Sequence, residues 1–354
     1  MLSAVCIGKG GLIIMIKNDD KNILEVKGLK KYFPVYKGVF RSIVGHVKAV
    51  DGVNFSIKKG ETLGLVGESG SGKTTLGRCV IRLLEPTDGS VKFHTNGEVK
   101  DLTKMDRREL KEIRRDIQML FQDPNSSLNP RMRIGDIIAE PLQIHRIGTS
   151  KQQMECVKDL LTLVGLNTNQ INLYPHQFSG GQRQRIGVAR ALSLNPKLVI
   201  CDEPVSALDV SVQAQVLNLL FDLQDKMKLT YLFIAHDLSV VEYISDRVMV
   251  MYLGKIMEAA SSEKIYQNPK HPYTEGLLSA IPRQWGASIK RKIILKGSMP
   301  DPFNPPDGCV FHTRCLYAKD ICRNLEPELK AVKGDPESFV ACHRSDELDL
   351  RGYV

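Results

Sequence analysis

No stretch of this 354-residue chain approaches the roughly 18 to 20 consecutive apolar residues that a helix needs to cross a bilayer. If the protein works at a membrane, another chain supplies the span. The apolar run Leu12 to Ile16 is not preceded by a basic region. Lys9 interrupts the stretch, and Lys17-Asn18-Asp19-Asp20 is no small-residue cleavage site, so a secretory signal is not expected. Residues 1–20 read as a disordered or mis-started extension, with Met15 as an alternative start, and the protein reads as cytosolic. Compositional bias is also missing. Hydrophobic residues at 42% and charged residues at 25% are ordinary globular values, which excludes collagenous, coiled-coil and wholly disordered chains. No internal repeat is visible.

At about 150 residues per domain, the length suggests roughly two domains. The 49 basic and 40 acidic side chains leave a formal charge of +9, which suits a phosphate-bearing partner or an ordinary lysine-rich surface. The basic residues are spread along the chain, apart from a modest cluster at Lys290, Arg291 and Lys292, and charge alone does not choose between the two.

Residues 23 to 66 read as strands, the last being Leu63 to Val66, which runs into a glycine-rich loop. Lys73 to Leu84 reads as a helix stopped by the turn cluster Glu85-Pro86-Thr87-Asp88-Gly89, and Asp106 to Gly165 as mostly helical. Beyond Ser179 the order becomes regular. Helices are expected over Ser179–Leu194, Val210–Met227 and Leu238–Ile244, and strands over Leu198–Asp202, Tyr231–Ala235 and Val248–Tyr252. Such alternation implies a parallel sheet covered on both faces. After Pro269-Lys270-His271-Pro272 the composition changes, and prolines 300, 302, 305 and 306 mark a segment with little regular structure that runs into the cysteine cluster of a loop-rich tail.

Gly67-Glu68-Ser69-Gly70-Ser71-Gly72-Lys73-Thr74-Thr75 fits the G-x-x-x-x-G-K-[ST] pattern between a strand and a helix. Glycines let successive backbone N–H groups curl around phosphate oxygens at the positive end of the helix. Lys73 would reach the β- and γ-phosphates, and the Thr74 hydroxyl would coordinate Mg²⁺. The strand Leu198 to Asp202 ends in two acids, where ligands bind in parallel sheets; Asp202 would hold Mg²⁺ and Glu203 would polarise the attacking water. Ser179-Gly180-Gly181-Gln182 opens a helix with a serine cap and two glycines, a second anion-ready feature. Because the first loop can wrap a triphosphate alone, this one is expected to serve the nucleotide of another copy across a dimer interface.

The glycine loop, Gln122, Ser-Gly-Gly-Gln, Asp202-Glu203, Ser206-Ala207-Leu208-Asp209 and His236 occur in the order found in ABC-transporter ATPase subunits. The resemblance covers about residues 23 to 280. It implies an α/β P-loop NTPase core with an antiparallel β subdomain and a helical subdomain near residues 124–194. It also implies a head-to-tail dimer holding two ATP molecules. Gln122 would then touch the metal and the nucleophilic water and relay nucleotide state to the membrane partner. His236 would hold the γ-phosphate, Ser179 to Gln182 would contact the γ-phosphate bound by the opposite subunit, and Asp209 would join the two sites. Phe178 stands where leucine is usual. Phe33 is chosen by spacing as the aromatic that stacks on adenine, with Tyr32, Tyr36 and Phe40 as alternatives because Val35 to His46 looks like an insertion.

Phe121 to Met132, His271-Pro272-Tyr273-Thr274 and Asn304 to Cys309 are similar to dipeptide/oligopeptide importers, with nickel importers as close relatives. This implies an ATPase of residues 21–268, a C-terminal region of residues 269–354, and a peripheral place on the cytoplasmic side of the membrane. It further implies two transmembrane permease subunits, a second ATPase subunit (identical or different), and an extracytoplasmic peptide-binding protein. Nucleic acid is not expected as a partner, since the chain carries neither a second cassette nor a long coiled-coil insertion. Cys309, Cys315, Cys322 and Cys342 crowd the tail with C-x5-C, C-x6-C and C-x19-C spacing. Four thiolates suit a [4Fe–4S] cluster or a structural zinc, and free or disulfide thiols are a third reading. Zinc sites usually begin with closer pairs, and the subfamily resemblance implies the cluster, in a structural role.

Overall fold

A computed structural model describes residues 22–38, 42–123, 127–281, 293, 295 and 297–353. The N-terminal extension, Phe40, the Lys290–Lys292 cluster and residues 124–126 therefore lie outside the described residues.

A four-stranded antiparallel sheet in the order β2-β1-β4-β5 is built from β1 (Asn22–Lys37), β2 (Ser42–Lys58), β4 (Asp88–Thr95) and β5 (Glu98–Asp101). The stretch expected as an insertion simply lengthens the β1–β2 hairpin, with Val35 opposite Gly45 and Tyr36 opposite Ile43. One face of this sheet buries Leu24, Val26, Phe55, Val91 and Phe93, all in the same apolar cluster as Leu63, Leu65, Ile200 and Ile234 of the second layer.

That layer is an eight-stranded sheet in the order β11-β12-β10-β9-β3-β8-β7-β6. Its parallel part comprises β3 (Thr62–Val66), β6 (Ile117–Leu120), β7 (Leu198–Asp202), β8 (Thr230–Ala235) and β9 (Arg247–Tyr252). Strands β3, β7 and β8 are buried throughout, as continuous apolar runs in a doubly covered parallel sheet should be. The antiparallel part comprises β10 (Lys255–Ser261), β11 (Lys330–Val332) and β12 (Asp335–Val340).

Two expectations need correction. The segment read as mostly helical contains β6, four residues that pair with β7 from Ile117–Leu198 to Leu120–Cys201 and are too short to reveal a period. The proline segment 300–306 carries no helix or strand, as expected, but the tail beyond it, read as loop-rich, contributes β11 and β12, and Glu258 of β10 faces Val340 of β12, so the tail extends the central sheet.

Helix α1 (Lys73–Val80) follows β3 and α2 (Arg107–Ile113) precedes β6. The lateral helices are α3 (Ile134–Ile144), α4 (Ser150–Leu163) and α5 (Gly180–Leu192). They share one apolar cluster through Ile134, Ile138, Val157, Leu161, Ile186 and Ala189. Helix α6 (Val210–Met227) joins β7 to β8, and α7 (Leu238–Ile244) joins β8 to β9; α8 (Ser262–Gln267), α9 (Pro272–Leu278) and α10 (Asp320–Asn324) follow. Among the described residues no helix is long and apolar enough to cross a membrane.

Candidate functional site

The chain leaves β3 at Val66 and turns through the glycine loop into α1. Gly72 is the N-cap of α1, at φ +105°, and a Cβ there would lie 2.1 Å from the Ala49 carbonyl oxygen, so no other residue fits without moving backbone. The loop closes on Lys73, which is only 4% exposed and whose Nζ donates to the carbonyls of Gly67 (2.8 Å) and Glu68 (3.0 Å). Burial pushes the Lys73 ammonium down from its ordinary value, and the carboxylates of Glu203, Asp202 and Glu68 pull it back up.

A cavity of about 430 Å³ opens beside the loop, lined by Ala49, Ser69, Gly70, Gly72, Lys73, Thr74, Thr75, Gln122, Glu203 and His236. Residues expected from four separate motifs thus share one wall. Glu203, the residue after β7, holds a left-handed backbone at φ +47°, an uncommon and costly state for a non-glycine residue that active sites tend to retain. Its N–H donates to the Ile234 carbonyl at 2.9 Å. Its Oε2 accepts from Gln122 Nε2 at 3.0 Å and lies 3.2 Å from His236 Nδ1. A carboxylate held between an amide and an imidazole at the mouth of the loop can take a proton from water.

Asp202 lies beneath, fully buried. Its Oδ1 accepts from the Thr74 hydroxyl at 2.7 Å, Arg78 stands 3.9 Å from Oδ2, and Oδ2 has no hydrogen-bond partner. Burial pushes this carboxyl up, against the downward pull of the Thr74 hydroxyl and Arg78. An orphan carboxylate oxygen beside a threonine hydroxyl is the hard-oxygen set that Mg²⁺ takes, so the residues fit that ion.

Ser179 to Gln182 and Asp209 are not among the residues that line the cavity. The Ser179 hydroxyl accepts the Gln182 N–H at 3.3 Å and the Gln182 side chain accepts the Ser179 N–H at 3.0 Å, a complete capping box opening α5. A Cβ on Gly181 would sit 2.3 Å from Val212 Cγ1, which places this helix start against the first turn of α6. Asp209 caps that turn, accepting from the Val212 N–H at 3.0 Å and the Ser211 hydroxyl at 2.7 Å. Phe33 is not among the cavity-lining residues; it sits on β1 opposite Val47 with Lys31 Nζ 5.0 Å above its ring. Neither Tyr32, whose hydroxyl donates to Asp51 at 2.5 Å, nor Tyr36 lines it either.

Cys309, Cys315, Cys322 and Cys342 line one small cavity with His271, Phe311 and Arg344, all four as free thiols. Burial pushes the Cys309 thiol up to about 12 and the Cys315 thiol to about 11. Among the described residues no group of three or more His, Cys, Asp or Glu is arranged to hold a metal ion, so neither the iron–sulfur nor the zinc expectation gains support. Sequence reasoning also missed Ala49, Tyr273 and Arg314 as neighbours of the loop. The Tyr273 hydroxyl accepts the Glu68 N–H at 2.8 Å, and Arg314 pairs with the Glu68 carboxylate. No spacing signal links positions so far apart in sequence.

The ABC transporter family profile matches residues 50–206, and the profile of the oligopeptide/dipeptide transporter C-terminal region matches residues 257–322. The oligopeptide transport ATP-binding protein AppF of Bacillus subtilis (strain 168) is 55% identical over 332 residues, 93% of this chain and 99% of AppF. The di/tripeptide transport ATP-binding protein DppF of Pseudomonas aeruginosa (strain UCBPP-PA14) is 47% identical over 93% of this chain and 99% of its own length. The solved dimer of the ATP-binding cassette MJ0796, in a post-hydrolysis state bound to ADP and Pi, superposes with a TM-score of 0.59. It shares 28% identity and covers 68% of this chain and 98% of its own. With the phosphate loop, paired acids and capped α5 in place on this fold, the chain belongs to the ATP-binding proteins of oligopeptide and dipeptide ABC transporters.

Proposed function

We propose that this protein hydrolyses ATP to energise import of dipeptides or oligopeptides, working peripherally on the cytoplasmic side of the membrane. Two permease subunits would form the path and an extracytoplasmic peptide-binding protein would deliver cargo. The observation that carries the reading is the convergence of Lys73, Thr74, Gln122, Glu203 and His236 on one cavity, in a chain 55% identical to an oligopeptide transport ATP-binding protein. Nickel import and nucleic-acid processing are not favoured, because the similar proteins carry peptide-transport names.

In this reading the loop N–H groups and Lys73 bind the β- and γ-phosphates, and the buried ammonium gains strength from its dry surroundings. Thr74, Asp202 and Gln122 would hold Mg²⁺, which supplies charge neutralisation on the phosphates. Glu203 accepts the proton of the attacking water, Gln122 orients that water, and His236 holds the γ-phosphate. Ser179, Gly180, Gly181 and Gln182, which do not line their own cavity, would serve the nucleotide of a second ATPase subunit, with Asp209 at the junction. Phe33 remains the proposed adenine-stacking residue. The unit of residues 21–268 would be the ATPase and residues 269–354 its transporter-specific region. The four thiols around one cavity are proposed to hold a structural [4Fe–4S] cluster, as the resemblance to peptide importers implies; colourless anaerobic preparations without acid-labile sulfide would dismiss it.

The test of the main reading is Glu203→Gln. Binding of MgATP should persist while phosphate release falls by roughly 10²- to 10⁴-fold, the usual worth of a general base. Turnover equal to that of the unaltered protein would refute the assignment.

A further inference from the structure

An acid in a phosphate cradle is electrostatically misplaced unless something neutralises it, and Glu68 is such an acid. It is held at three points. Its N–H donates to Tyr273 Oη at 2.8 Å, its carbonyl accepts from Lys73 Nζ at 3.0 Å, and its carboxylate takes two bonds from Arg314. Those are Nη1 to Oε2 at 2.5 Å and Nη2 to Oε1 at 2.9 Å, a bidentate pair that fixes the carboxylate plane as well as its distance.

Arg314 is 7% exposed and its place is set from behind. Its Nη1 reaches the Tyr252 hydroxyl at 3.4 Å and its guanidinium carbon lies 5.8 Å from the Tyr252 ring centroid. Tyr252, Tyr273 and Phe311 pack edge to face or tilted, with ring centroids 4.7 to 5.3 Å apart. The segment from Cys309 to Cys315 is tied by successive backbone bonds, from the His312 N–H to the Cys309 carbonyl, Arg314 to Phe311 and Cys315 to His312. The backbone that carries Cys309 and Cys315 is thus bonded turn by turn to the backbone that carries Arg314.

We propose that Arg314 is a positioning residue for the phosphate loop. It neutralises Glu68 so that Lys73 is left to the incoming triphosphate, and the thiol pocket acts on nucleotide affinity through it. Without the guanidinium, the Glu68 carboxylate competes for Lys73 and repels phosphate. A merely structural staple between tail and core would instead change the unfolding of the nucleotide-free chain and leave affinity alone.

This inference rests on the phosphate-loop reading above and is tested on the full chain by the dissociation constant for MgATP, with the melting temperature of the nucleotide-free protein alongside. Arg314→Met should weaken MgATP binding about tenfold, and Arg314→Lys, which keeps the charge but not the fork, less. Adding Glu68→Gln to Arg314→Met should bring affinity back to within about threefold of the unaltered protein, because the acid needing neutralisation is gone. Cys315→Ser should weaken binding in the natural background and not in the Glu68→Gln background. Unchanged affinity in Arg314→Met, or failure of Glu68→Gln to restore it, overturns the proposal. Should Arg314→Met not fold, Arg314→Lys with and without Glu68→Gln decides by the same criterion. An unaltered protein that binds no MgATP would overturn the phosphate-loop reading itself, a distinguishable result.

Discussion

Replacing Gly72 by alanine tests whether the loop geometry is imposed by its surroundings. The backbone at φ +105° lies outside what an L-residue adopts comfortably, which costs about 1–3 kcal/mol. The new methyl would also stand 2.1 Å from the Ala49 carbonyl oxygen and 3.0 Å from Met251 Cε. The methionine can yield; the carbonyl cannot easily, because Ala49 belongs to β2 and its neighbour Val50 is paired with Lys31 of β1. Overpacking of that kind adds about 1–3 kcal/mol, for a total near 2–6 kcal/mol, a large share of the roughly 5–15 kcal/mol that holds a domain folded. Gly70 provides the control, at φ +83° with nothing within 4 Å of its Cβ, so Gly70→Ala carries the conformational cost alone. Urea midpoints of the nucleotide-free variants, converted with a common slope, should place Gly72→Ala about 1–3 kcal/mol below Gly70→Ala. Gly72→Ala should also lose the stabilisation of about 2.7 kcal/mol expected at a ligand concentration of 100 Kd. Equal midpoints for the two variants would refute the collision with Ala49.

Two further outcomes concern titration and metal. His271 is fully buried and its carrier helix depends on its neutral ring, since Nδ1 accepts the Tyr273 N–H at 3.0 Å; burial holds its pKa at about 3. The folded state thus rejects a proton that the unfolded chain takes below about 6.5, and stability falls by about 1.4 kcal/mol per pH unit from there down to about 3. Glu258, buried beside it and pushed up to about 7, works oppositely, its contribution complete below about 4.5 and lost as pH rises through 7. The two slopes cancel between about 4.5 and 6.5, so stability should stay level there and drop only below; in Glu258→Gln the drop should begin near 6.5, and identical profiles would contradict this. Asp202→Asn should abolish the part of ATP-induced thermal stabilisation that requires Mg²⁺, measured with and without the ion, whereas an unchanged Mg²⁺ increment would remove Asp202 from that role.

Leu198–Asp202, Val210–Met227 and Leu238–Ile244 were legible to the residue because continuous apolar strands and side-chain caps at Asp209 and Asp237 mark their ends. The helix expected over Lys73–Leu84 ends at Val80, four residues early, in a turn where Arg82 takes φ +53°. Strand β12 escaped notice because Pro336 and Glu337 near its start are exposed and its apolar half is defined only by pairing with its neighbours β10 and β11. At the site, the phosphate loop and the acids were readable because their chemistry needs fixed local spacing. The contributions of Ala49, Tyr273 and Arg314 were not, since each reaches the loop through tertiary packing alone.

Because β12 hands its backbone bonds to β10, the tail is the selvedge of the motor's own fabric. Cutting the chain before Asp335 would leave β10 with a raw border of unpaired amides and carbonyls, open to the strand of any passing chain. Shortened versions should therefore clump before they lose their grip on nucleotide.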